Sequence, residues 1–134
     1  MMKAKLAVPN AILFILDPTN EAAIVPEYVP GEAAAATPSC VSVATIADVD
    51  GEVTVSLCAT LDDVDRTMSA QVFHGSVETP GHVLAVVTSD FERVLEIATP
   101  SLVTRITIRV DDVQSTAEVS VDVNPSPDLA ERSG

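Results

Sequence analysis

Tryptophan is absent from this chain of 134 residues, tyrosine occurs once and phenylalanine three times. Aliphatic side chains must therefore build any core, and Val and Ala dominate among them. Cysteine is nearly as scarce. Cys40 and Cys58 are the only two, too few for the disulfide framework of a small secreted domain and spaced like no zinc motif. The expectation is two buried, reduced thiols. Lys and Arg together number seven, too few for a strong phosphate cradle. No apolar run approaches the length that spans a bilayer.

Acid, by contrast, is plentiful. Twenty Asp and Glu leave a formal net charge of −13. Such a surface repels nucleic-acid phosphates and anionic lipids, so direct binding to either is not expected; a basic protein partner is. The plain reading is that the charge keeps the protein soluble. Hydrophobic residues at 47% argue against intrinsic disorder, and the length argues for one domain with a substantial core. At the start, Lys3 and Lys5 precede an apolar run, as in a signal peptide. Pro9 and Asn10 interrupt it, however, and Asp17-Pro18 stand where small residues would be needed for cleavage. A cytoplasmic protein is expected.

The remaining pattern is one of short apolar alternations broken by Gly, Pro, Ser and Asp, clearest from Gln71 to Asp112. Val favours pleated strands because its branched side chain packs well there. Ala11 to Leu16 reads as a strand apolar on both faces, and so buried on both. Pro18, Pro26, Pro30 and Pro38 punctuate an irregular segment in which only Ala22 to Val25 could pair, while Ala33 to Ala36 could form one helical turn. Val41 to Ala47 and Val53 to Ala59 read as a hairpin turning at Asp50-Gly51, with Ile46 facing Val55 and Ala44 facing Leu57. That register puts Cys40 and Cys58 on opposite faces and forbids a bridge. Further strands are expected over Met68 to His74, His82 to Thr88 (central, since it is apolar on both faces) and Arg93 to Ile97. Between the first two lies a loop, Gly75 to Gly81, with a type II turn at Thr79-Pro80-Gly81. In a final hairpin, Thr104 to Val110 and Ala117 to Val123 are expected to pair Ile108 with Val119, Arg109 with Glu118 and Arg105 with Asp122. The sum is an all-β protein: a single antiparallel β-sandwich of about eight strands over residues 1–123, with a small β-barrel as the alternative and residues 124–134 a flexible tail.

Reactive equipment is sparse. There is no Gly-x-Ser-x-Gly, no Gly-rich phosphate loop and no HExxH, so no catalytic residue, no metal site and no cofactor are assigned, and the chain is read as a non-enzyme. His74, Glu78 and His82 flank one loop and could form a metal or acid–base cluster, although imidazole sites usually need three or four convergent ligands. Two turn-flanking polar side chains is the plainer reading. Asp48, Asp50 and Glu52 around Gly51 resemble the opening of a calcium loop, but the later ligands are missing and a turn explains the same residues.

The piece Phe73-His74-Gly75-Ser76-Val77-Glu78-Thr79-Pro80-Gly81, followed by Val83-Leu84-Ala85-Val86, resembles the central part of small bacterial β-sandwich proteins of the competence protein J type. Pro100 to Val110, with alternating Arg105 and Arg109, is similar to their strand after a Pro turn. The resemblance implies a β-sandwich that inhibits a partner nuclease. Charge, missing motifs and resemblance together point to an acidic interaction module, an inhibitor or immunity-type protein that offers carboxylates to a basic nuclease or toxin. The expected contacts are Asp62, Asp63, Asp65 and Glu78, near two consecutive loops. The alternatives are a small ligand- or metal-binding sandwich using His74 and His82, and a structural subunit whose edges pair with its own copies.

Overall fold

A computed structural model describes residues 2–58 and 70–124. Its ten strands are β1 (Met2–Leu6), β2 (Ile12–Leu16), β3 (Ala34–Thr37), β4 (Cys40–Ala44), β5 (Val53–Cys58), β6 (Ala70–Glu78), β7 (Val83–Thr88), β8 (Arg93–Ala98), β9 (Val103–Val110) and β10 (Glu118–Asn124). They form two five-stranded sheets: sheet A in the order β1-β5-β10-β9-β6 and sheet B in the order β3-β4-β2-β7-β8. The sheets pack face to face as a sandwich. Among the described residues, no helix is long and apolar enough to cross a membrane.

Alternation builds the core. Val53, Val55 and Leu57 of β5, Val119 and Val121 of β10, and Ile106 and Ile108 of β9 point inward from sheet A. Leu13 and Ile15 of β2, Val41 and Val43 of β4, and Leu84 and Val86 of β7 meet them from sheet B. Each of these side chains is at most 1% exposed, and each contributes roughly 1.5–3 kcal/mol relative to staying in water. The strands expected to be apolar on both faces, β2 and β7, do sit inside sheet B. Their other faces supply a second cluster of Phe14, Leu16, Cys40, Ala85 and Val87.

Several local expectations give way. β4 and β5 do not form a hairpin. Asp48–Asp50 makes a 3-10 turn and Gly51, at φ 138°, extends away from it, so the chain leaves sheet B and enters sheet A. There β5 lies between β1 and β10. The pairing of Ile46 with Val55 is lost: the Ile46 N–H donates to Thr116 O at 2.9 Å instead. Residues 2–6, weighed above only as a leader, are the edge strand β1. Ala34–Thr37 is a strand rather than a helical turn, because β4 offers it a ladder from Cys40 to Val43. Ala22–Val25 forms no strand; the Ser39 and Thr37 hydroxyls bind the backbone of Ile24. Gly75–Glu78 continues β6 instead of looping. The following turn closes with His82 N–H donating to Thr79 O at 3.0 Å. Positive φ falls on His82 and not on Gly81, so the turn is not type II.

The last hairpin keeps its faces but not its pairs. Val119 lies opposite Val110 and Val121 opposite Ile108, a slip of two residues from the expected register, which leaves every side chain on its intended side. The cause lies on β10's other flank. Thr54 N–H donates to Ala117 O and Ile46 N–H to Thr116 O, both at 2.9 Å, so residues 116–117 serve β5 and its approach rather than β9. Asp111 Oδ1 fixes the longer loop by accepting the Ala117 and Glu118 N–H groups, each at 3.0 Å. Asn124, expected in the tail, completes β10.

Candidate partner-binding surface

Of the expected contact residues, Glu78 is placed: it is exposed and ends edge strand β6 opposite Val103. Its N–H donates to Pro38 O in the β3–β4 turn at 2.9 Å, tying the end of β6 to sheet B's hairpin. Asp62, Asp63 and Asp65 lie outside the described residues, so the expected cluster is not assembled by the described structure. His74 and His82 are not brought together into a site. His74 stands within β6 with Nδ1 2.8 Å from Thr107 Oγ1. His82 precedes β7 in the other sheet, with Nδ1 3.2 Å from Thr99 O. Asp48 and Asp50 belong to the exposed 3-10 turn. Among the described residues no group of three or more His, Cys, Asp or Glu is arranged to hold a metal ion.

The outer face of sheet A is polar. Thr54, Ser56 and Cys58 of β5 alternate with core residues and register beside Glu118, Ser120 and Asp122 of β10. Arg109 of β9 reaches diagonally to Asp122, a carboxylate only 2% exposed, whose other oxygen accepts Ser120 Oγ at 3.2 Å. Burial pushes the Cys58 thiol up, and the Asp122 charge pushes in the same direction. Burial alone pushes Cys40 up to about 12. Both cysteines are buried and neither forms a disulfide; they lie on outward faces of different sheets, so neither reaches the other. Lys3 and Lys5 of β1 share this side of sheet A, opposite Ser56 and Thr54, as does Arg105, opposite Ser76.

The outer face of sheet B is chemically the reverse. The second apolar cluster lies here, with residues 18–33 draped across it. A cleft of about 240 Å³ opens between that segment and the β7–β8 turn, lined by Leu16, Ala23, Val25, Val87, Phe91 and Arg93, among others. Phe91 stacks on Phe14 with ring centroids 6.2 Å apart and planes 14° from parallel, yet remains 59% exposed. Tyr28 at 69% and Ile24 at 64% are further exposed apolar side chains, on residues 18–33. The segments that carry these side chains also carry six exposed carboxylates, Glu21, Glu27 and Glu32 in the first and Asp90, Glu92 and Glu96 in and after the β7–β8 turn. Arg93 is the one basic side chain there among the described residues, and its guanidinium is held by Glu96 at 3.1 Å. Sequence reading missed this surface. Its available signal was the single tyrosine inside a proline-punctuated segment and a phenylalanine directly after the turn residues Ser89-Asp90.

Sequence comparison finds no matching family model and no matching curated protein. Comparison of folds does find a likeness. The crystal structure of ComJ from Bacillus subtilis, an inhibitor of the DNA-degrading activity of NucA, superposes with a TM-score of 0.69 at 9% identity. The match covers 93% of this chain and 96% of that one. The chain therefore has the β-sandwich fold of ComJ along nearly its whole length, as the resemblance around β6 and β7 implied.

Proposed function

We propose that this protein is a non-enzymatic inhibitor or immunity-type module that binds a basic protein, such as a nuclease or toxin, and covers its phosphate-binding surface with carboxylates. The observation that carries this reading is the fold shared from end to end with a nuclease inhibitor. The net charge of −13 supports it, since a cationic nuclease surface is built to receive polyanions and is reached faster by an acidic partner. Asp62, Asp63, Asp65 and Glu78 are the carboxylates proposed to make the contact.

The test is retention from a soluble extract of the source cell. The immobilised protein is expected to hold a basic protein at roughly 0.05 M salt and release it near 0.5 M. The eluted protein is expected to degrade DNA more slowly when this chain is added back. Failure to retain any basic protein at low salt would overturn the reading.

A further inference from the structure

We propose that the outer face of sheet B docks a basic protein through one protruding apolar side chain. That side chain enters the cleft beside Phe91 while flanking lysines and arginines meet the carboxylates of the two segments that line it. The inference rests on the binding role proposed above and adds an apolar anchor on this face to the carboxylate contacts proposed there.

Phe91 is the first argument. The β7–β8 turn closes with Phe91 N–H donating to Thr88 O at 2.8 Å and Thr88 N–H donating to Glu92 O at 3.0 Å. This is a turn whose last residue adopts the left-handed region, normally a place for Gly or Asn. Phe91 occupies it at φ 60°, a conformation that opposes a bulky side chain. The ring gains only a half-covered stack in return. Asn10, Ala11 and His82 share this φ, but Phe91 is the one of the four that leaves a large apolar side chain more than half exposed, which points to a role outside the fold.

Charge is the second. Six exposed carboxylates lie on the two segments that carry the apolar side chains, and Arg93 is already engaged. A second copy docking symmetrically would set two such groups of carboxylates against each other, whereas a basic surface would neutralise them. Four of the five described cations, Lys3, Lys5, Arg105 and Arg109, stand on the far face, so the field of the molecule turns a cationic partner toward sheet B. An apolar anchor flanked by charges is also how binding energy is usually distributed at an interface.

The test uses the full chain, labelled with nitrogen-15, and a pentapeptide of lysine and arginine around a central leucine, with a central-serine peptide as control. Amide signals of Ala23, Val25, Phe91 and Glu92 are expected to shift with the leucine peptide, and those of Thr54 and Ser120 to stay. The serine peptide is expected to bind about tenfold more weakly. Phe91→Gly removes the ring and the backbone conflict together, so its melting temperature is expected to stay within about 4 °C of the parent while leucine-peptide affinity falls about tenfold. Val25→Ser, at an exposed position that lines the cleft, is expected to reduce affinity without touching the fold. Shifts confined to sheet A, equal binding of the two peptides, or unchanged affinity in both variants would overturn the assignment. Retention of a basic partner from extract with the peptide mapping elsewhere would sink this surface and leave the binding role standing. No retention at all would remove the role itself.

Discussion

Asp17 is fully buried, and three donors converge on it. Thr19 supplies its N–H at 2.8 Å and its hydroxyl at 2.7 Å to one oxygen, and Gly81 N–H reaches the other at 2.6 Å. The carboxylate thus pins the end of β2 to the β6–β7 turn. Asp17→Ala strands two backbone donors and is expected to cost about 3 kcal/mol in urea unfolding. Gly81 is required for closeness and not for an unusual φ: a Cβ there would lie 1.9 Å from Thr19 Oγ1, so Gly81→Ala is expected to cost roughly 1–3 kcal/mol. The thiols give a pH dependence of definite sign. Cys40 ionises at an ordinary value of 9.0 when unfolded and near 12 when folded. Above pH 9 the unfolded chain releases this proton and the folded chain keeps it, so the thiol's contribution to stability is complete below pH 9 and fades between pH 9 and 12. Melting curves of Cys40→Ala are expected to decline less steeply than those of the parent across that range.

At the level of elements, the sequence displayed which faces were greasy but not which strands were neighbours. β9 and β10 illustrate the boundary. Alternation assigned Ile106, Ile108, Val119 and Val121 to the core correctly, because facing inward depends only on parity. Opposite charges then suggested Arg109 with Glu118, an exposed pairing worth only ~0.2–1 kcal/mol. That was too weak to hold register against the backbone bonds that residues 116–117 give to Ile46 and Thr54. A double-mutant cycle decides between the two arrangements. Coupling of about 1 kcal/mol or more is expected for Arg109 with Asp122 and none for Arg109 with Glu118. The β4–β5 hairpin failed for a related reason. Asp50-Gly51 is a turn in either arrangement, and a short apolar strand carries no mark of the sheet it joins. β3 was hidden because Ala carries so little strand preference. For the candidate site, residue type was legible as acid and position was not: Phe91 and Val25 acquire meaning only when residues 18–33 and the β7–β8 turn are folded onto one face.

On the scale of the molecule, fold class followed from alternation and turn spacing, while the polarity of the two outer faces emerged only with the topology. Sheet A turns hydroxyls, thiol and paired charges outward; sheet B turns apolar side chains and carboxylates outward. For the basic partner proposed above, this asymmetry makes association strongly dependent on ionic strength. The association rate with the retained partner is expected to fall at least tenfold between roughly 0.05 and 0.5 M salt while the dissociation rate changes less, as stopped-flow mixing would show.

The position of β10 has a consequence for biosynthesis. It is the last described strand of the chain, yet it occupies the middle of its sheet, parallel to β5 on one flank and antiparallel to β9 on the other. While the ribosome is still making residues 118–124, two ribbons that must become its neighbours wait with bare amide edges and an unfilled groove between them. Ordering of sheet A is therefore deferred until β10 has been made, and a chain halted before Val119 should be digested readily by protease where one that includes β10 resists.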